Sequence, residues 1–147
     1  MKDWADFINK TSAILIANSK AVAEQYDLLI GENKCVVHHR YVHVPKKIDP
    51  QDNIFTMSNS LKVLCLGSIQ EGKRQMDAVK AIILLGEHGI NCELVLMGGY
   101  DPSSEYFQSI HNVIQNYANI KIAGFKHNRF AYIEQADLLL LTSENEA

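Results

Sequence analysis

What most constrains this chain is a pattern it repeats: a short apolar run stops at a glycine or a capping residue, and a segment with helical spacing follows. The clearest copy spans residues 61–85, LKVLCLGSIQEGKRQMDAVKAIILL. Its apolar run, Val63 to Leu66, is too brief for a helix and is bounded by polar residues, so it reads as a buried strand. Gly67 closes the run, a tight polar loop follows, and Lys73-Arg74 opens a segment whose apolar residues recur at helical spacing, from Met76 through Val79 and Ile82 to Ile83 and Leu85. A strand, a glycine turn and a basic helix start make a ready anion site. Unpaired N–H groups leave the first turn, and the macrodipole adds partial positive charge. An ordinary βα turn with a solvated lysine uses the same residues, so both readings stay open on this stretch alone.

The pattern recurs on either side. Residues 3–10 read as the end of an amphipathic helix with Trp4, Phe7 and Ile8 on one side, and AILIA at 13–17 as a buried strand. Ser19 is a fitting N-cap for a helix carrying Val22, Tyr26 and Leu29, which Gly31 stops. Residues 35–44 read as extended, and residues 45–60 as a polar linker holding two prolines. Beyond the central stretch, the helix ends at His88-Gly89 and residues 93–97 form a strand stopping at Gly98-Gly99. Asp101-Pro102 reads as an N-cap with an N1 proline for a helix striped by Tyr106, Phe107, Ile110, Val113, Ile114 and Tyr117. A strand at 120–123 ends at Gly124-Phe125, Asn128 caps a short helix, and 138–141 is a last strand.

Strands apolar on both faces, alternating with helices, predict an α/β fold with a doubly wound parallel sheet, Rossmann-like in type. Ligands of such sheets sit beyond the carboxyl ends of the strands, here at Gly67-Ser68, Gly98-Gly99, Gly124-Phe125 and 142–146. Glycine at three of those four ends lets a nucleotide-like ligand approach the backbone. The last strand has no helix after it, so the sheet is expected to be incomplete at its C-terminal side and the chain to be a fragment. A formal charge of −3 leaves no basic footprint for nucleic acid. No apolar run reaches a membrane span of about 20 residues, and the acid-bearing start MKDWADFINK lacks the apolar core of a secretory signal. Cys35, Cys65 and Cys92 lie inside apolar runs and are odd in number, which points to buried reduced thiols and a cytoplasmic protein.

Three pieces then fall into one order: LKVLCLGSIQEGKRQMDAVKAIILL, CELVLMGG and NIKIAGFKHNRFAYIEQADLLLLTSENEA. Together they resemble the C-terminal donor-binding domain of family 4 glycosyltransferases (glycosyl transferases group 1), two-domain enzymes of the GT-B fold. The resemblance runs from about Ser12 to the end and is firmest from Leu61 onward. AILIANSKAVAEQY and KCVVHHRYVHVP are similar to the last βα unit and exit strand of the family's N-terminal domain. The implied organisation is the end of an N-terminal domain at 1–45, a linker at 46–60, and the first part of a nucleotide-sugar-binding domain at 61–147.

The resemblance implies roles residue by residue. Gly67, Ser68 and Lys73 fall on the signature whose lysine and post-glycine residue grip the donor diphosphate, with the Ser68 hydroxyl where many members carry a cation. Arg74 stands where glycine is usual. Gly98 belongs to the same donor-binding rim, and Phe125 falls where members touch the nucleobase. Glu146 matches the first glutamate of the E-x7-E motif beside the transferred sugar; Glu144 lies close by but lacks the following small residue. Lys73 and Glu146 are therefore the catalytic candidates. The implied activity is transfer of a sugar from a nucleotide-diphosphate donor to a glycan or lipid-linked acceptor, with retention of configuration, as in polysaccharide biosynthesis. No cofactor and no metal are expected: there is no Asp-x-Asp, and His38, His39 and His43 lack a completing ligand. The parent enzyme is compatible with peripheral association at the inner membrane face, and the piece alone is expected to be inactive, since catalysis needs both domains. A non-catalytic nucleotide-binding α/β module is the main alternative; another GT-B-like enzyme, such as an epimerase, is a third.

Overall fold

The structure, a computed structural model, describes residues 2–31, 34–39, 41–45, 48 and 52–144. The chain divides into two compact units, residues 1–44 and 45–146. The first holds α1 (Lys2–Asn9), β1 (Leu15–Ala17), α2 (Lys20–Ile30) and β2 (Cys35–Val37). The two strands run parallel, Leu15 opposite Cys35 and Ala17 opposite Val37. Ser19 caps α2 as expected, its hydroxyl accepting the Val22 N–H at 3.2 Å. The core is small: Ala5, Ile8 and Ile30, with Ala13, Leu15 and Cys35 against them.

Several expectations for this unit need correction. Phe7 is 64% exposed, so the buried face of α1 is Ala5 with Ile8, and the Trp4 side chain lies outside the described residues. The buried side of α2 carries Ala23 and Ile30, while Tyr26 and Leu29 face out. Ile14 and Ile16 are exposed, so β1 is buried on one face only. Strand pairing in the third run stops at Val37, well short of Val44. Cys35 is half-buried, unlike Cys65 and Cys92; all three are free thiols.

The second unit is the expected α/β sheet: β3 (Leu61–Leu66), a 3-10 turn (Glu71–Lys73), α3 (Gln75–Glu87), β4 (Cys92–Met97), α4 (Glu105–Ile114), β5 (Ile120–Gly124), α5 (Arg129–Ile133) and β6 (Leu138–Leu140). The strands lie in the order β5-β4-β3-β6 and all pair in parallel. The chain winds one way from β3 to β5, then crosses back to place β6 on the other side of β3. Crossovers of one hand must then change face where the direction reverses. The packing agrees. Ala78, Val79 and Ile82 of α3 and Phe107 and Ile110 of α4 cover Val63, Cys65, Leu94 and Leu96 on one face. Tyr132 and Ile133 of α5 and Phe55 meet Leu64, Val95 and Met97 on the other. All six residues of β4, one of the two inner strands, are buried, whereas Leu138 and Leu139 of edge strand β6 stand nearly half exposed.

The polar stretch expected as a linker is partly docked onto this unit. Phe55 is 2% exposed, and the Ile54 N–H donates to Gln135 Oε1 at 3.0 Å. Glu93 has no exposed surface; its carboxylate accepts from the N–H groups of Thr56 and Met57 and from the Lys121 ammonium at 2.5 Å. Burial by itself would raise the Glu93 carboxyl, but Lys121 and the two amides outweigh it and hold the group below its ordinary range. Periodicity could not reveal this docking, since one aromatic and one buried carboxylate hold a segment with no repeat of its own.

Candidate functional site

The carboxyl ends of β3, β4 and β5 are laced together by backbone bonds beyond the strands. The Gly67 N–H donates to Met97 O at 3.0 Å, the Ile69 N–H to Gly99 O at 2.8 Å, and the Gly98 N–H to Gly124 O at 3.0 Å. Gly67 sits at φ 145°, outside the usual range of a residue with a side chain. Gly98 allows a close approach: a Cβ there would lie 1.9 Å from Gly67 O and 2.9 Å from Ser68 N. The two glycines thus set where the Gly67-Ser68 peptide lies. Ser68 is exposed on the resulting ridge, and its carbonyl accepts from Gln75 Nε2 at 2.8 Å.

Clefts open on both sides of this ridge, and their charge separates them. The larger, about 620 Å³, runs past Ser68, Tyr100 and Tyr106 and carries Glu71, Asp101 and Glu105. The smaller, about 370 Å³, has Gly67, Ser68, Gly98 and Gly99 as its floor, Leu66, Met97 and Phe125 as apolar lining, and Lys126, His127 and Arg129 as its polar wall. Phe125 is 67% exposed, with the His127 ring edge-on to it at 5.1 Å. Each like-charge pair at 4 Å costs about 1 kcal/mol in water and about 4 kcal/mol near a protein surface, so an anion favours the smaller cleft.

Four of the sequence-selected residues, Gly67, Ser68, Gly98 and Phe125, therefore line one cleft. Lys73 does not line it. Lys73 ends the 3-10 turn instead of opening α3, and Arg74 follows in a left-handed conformation, φ 52° and ψ 36°, with its Nε on Asp77 at 2.8 Å. The helix start is also less open to a ligand than expected, because the Met76 N–H donates to the Tyr106 hydroxyl at 3.0 Å. The Lys73 turn lies instead toward β6: Thr142 Oγ1 donates to Lys73 O at 2.8 Å and the Glu144 N–H to Gly72 O at 3.2 Å. This junction, between the ends of β3 and β6, is the point where the strand order reverses, the usual ligand position in open parallel sheets. Glu146 lies outside the described residues.

Some expectations shift and some residues come into view. The cap of α4 is Ser104, accepting the Phe107 N–H at 3.1 Å; Asp101 closes the preceding turn by accepting from the Ser103 N–H and hydroxyl. Those bonds hold the Asp101 carboxyl below its ordinary range. Among the described residues no three His, Cys, Asp or Glu side chains gather where a metal ion could sit. Lys126, His127 and Arg129 are not among the residues that the sequence pattern singles out, although Lys126 and Arg129 follow a rim glycine within five residues. Among the described residues no helix is long and apolar enough to cross a membrane.

No family model and no curated protein matches this sequence. Solved structures do match its fold. HepE from Anabaena, in a complex with UDP and glucose, aligns at a TM-score of 0.73 and 18% identity over 97% of this chain and 41% of HepE. HepE with UDP-glucose gives 0.70 and 19%, covering 95% and 40%. TarM gives 0.69 and 15%, covering 97% of this chain and 27% of its own. The chain thus spans about two fifths of HepE and just over a quarter of TarM. At these identities the likeness is one of fold, and the fold is the Rossmann-like parallel α/β architecture of these GT-B structures.

Proposed function

We propose that this chain is part of a glycosyltransferase of the family 4 type, and that its second unit holds the nucleotide-sugar donor. The observation that carries the reading is one carboxyl rim bearing both a glycine-floored cleft with a cationic wall and, two strands along, a lysine turn at the reversal of strand order. HepE, whose fold the chain shares, is a protein seen with UDP-glucose bound. From β5 to β6 the rim covers three strand intervals, or about 14 Å at ~4.8 Å each, a span suited to an extended nucleoside-diphosphate sugar. In this arrangement the base rests by Phe125, the diphosphate crosses Gly67 and Ser68 toward Lys73, and the sugar lies on the β6 side; Glu146 is the carboxylate that the resemblance assigns to the sugar.

The chemistry follows from where charge grows. The departing nucleoside diphosphate gains negative charge in the transition state, so a fixed ammonium at Lys73 lowers the barrier more than it tightens ground-state binding. With protein cations supplying that charge, the reaction needs no metal. Retention of configuration, a glycan or lipid-linked acceptor, the division at 1–45, 46–60 and 61–147, and a parent enzyme working in the cytoplasm at the membrane face complete the proposal. The test is calorimetric titration of the 147-residue chain with UDP, GDP and inorganic phosphate, with and without EDTA, beside Lys73→Ala. One diphosphonucleotide should bind in preference, EDTA should change nothing, and the variant should lose about tenfold or more, the worth of a charge-assisted bond of about 1.5–3 kcal/mol. Equal, feeble responses unchanged by the variant would overturn the donor site. Tight nucleotide binding indifferent to Lys73 would favour the non-catalytic module.

A further inference from the structure

We infer that Thr142 is a positioning residue for Lys73, and that the clasp it forms sets how firmly the site holds a nucleoside diphosphate; the inference rests on the donor-site reading above. Two bonds join residues 142–144 to the lysine turn: Thr142 Oγ1 to Lys73 O at 2.8 Å, and the Glu144 N–H to Gly72 O at 3.2 Å. The turn needs such a hold. It is a single 3-10 turn, closed by the Lys73 N–H to Gln70 O at 2.9 Å and the Arg74 N–H to Glu71 O at 3.0 Å, and it is followed by a non-glycine residue in the left-handed region at Arg74, a conformation that persists only where its surroundings fix it. On the far side the Tyr106 hydroxyl takes the Met76 N–H and Gln75 Nε2 holds Ser68 O. Lys73 is thus carried by a turn pinned from the segment after β6, from the end of β3 and from α4, and the first of these pins belongs to the stretch of chain that runs on, within four residues, to Glu146.

The clasp has a chemical purpose under this reading. A lysine on a flexible stem grips a diphosphate as a point charge, so its contribution depends on where its backbone is held. Thr142→Val keeps the side-chain shape and removes the hydroxyl; Thr142→Ser keeps the hydroxyl. The experiment measures UDP affinity and amide exchange of Gly72, Lys73 and Arg74 in the full chain and both variants. Thr142→Val should weaken UDP about three- to tenfold and speed exchange of those three amides, while Thr142→Ser does neither. UDP affinity unchanged in Thr142→Val would overturn the inference. So would a loss equal in both variants, or a loss without faster exchange in the turn, since each points to general packing at the site. Failure of the donor-site reading looks different: UDP then binds without regard to Lys73 in the parent chain itself.

Discussion

Gly98→Ala should be the most damaging single methyl in the second unit, and the reason is geometric. The added Cβ would lie 1.9 Å from Gly67 O, 2.4 Å from Gly67 C and 2.9 Å from Ser68 N, where ordinary contact begins at 3.4 Å. The obstructing atoms are backbone, so no rotamer relieves them; the Gly67-Ser68 peptide must retreat by about 1.5 Å. That peptide is held by Gly67 N–H to Met97 O and Ile69 N–H to Gly99 O, and the retreat strains both bonds. Overpacking of a filled core costs about 1–3 kcal/mol, and an immobile neighbour places this case at about 2–3 kcal/mol. For a unit of about 100 residues, at about 4–8 °C per kcal/mol, Tm should fall by about 10–20 °C. Gly99→Ala is the matched control, since a Cβ there meets nothing within 4 Å. Scanning calorimetry on both variants decides the matter. A Gly98→Ala transition within 2–3 °C of the parent would refute the argument, because the peptide would then have moved at little cost. If the fold survives, the same displacement should also weaken nucleotide binding.

The Glu93 carboxyl is held below the ordinary glutamate value of 4.5, so the folded state binds its proton less readily than the unfolded chain does. Its stabilising contribution is then complete above about pH 4.5 and is lost as pH falls through the lower folded value. Urea unfolding from pH 7 to pH 3 should therefore show Glu93→Gln weaker than the parent by about 2–4 kcal/mol at neutral pH, with the gap closing in acid; a gap independent of pH would refute it. Arg129 is exposed on the cationic wall, so Arg129→Ala should change stability by less than about 0.5 kcal/mol while weakening UDP about tenfold at low salt, less at high salt. Unchanged affinity in low-salt titrations would remove the wall from the site.

The fold of the second unit was legible because its inner strands β3 and β4 are buried on both faces over most of their length. A run such as Val63–Leu66 or Leu94–Met97 has no polar alternate and can only be a central parallel strand, and the glycine after each run marks the rim. The first unit was harder to read. Ile14 and Ile16 read as buried because they are apolar, yet they face outward there, and nothing in a sequence marks which side of an apolar strand is covered. Local competition between caps misled elsewhere. Asp101-Pro102 is a good helix start in isolation, but the Asp101 carboxylate closes its own turn on Ser103, and Ser104, three residues later, caps the helix. At Lys73-Arg74 the spacing of apolar residues fixed the helix body but not its first residue. A left-handed arginine is a tertiary outcome, held by contacts from β6 and α4 that lie far away in sequence.

The site shows the same division between what neighbours in sequence reveal and what the sheet assembles. Gly67, Ser68, Gly98 and Phe125 could be picked out because each sits directly after a strand, and parallel strands bring all such positions to one rim. Which of them share a cleft depends on strand order, which no single segment carries. The order β5-β4-β3-β6 puts Phe125 after one edge strand and the Lys73 turn against the chain beyond the other, so the base and sugar ends of the proposed donor fall at opposite ends of the rim. The ridge also separates charge. Glu71, Asp101 and Glu105 line one flank and Lys126, His127 and Arg129 the other, so a dianionic ligand is steered to a single side before any close contact forms. If that polarity directs binding, neutralising the acidic flank with Glu71→Gln and Glu105→Gln should raise UDP association at low salt without raising selectivity between UDP and GDP. Stopped-flow association rates that did not change would show that the flank is too well screened to matter, and would leave recognition to the cleft alone.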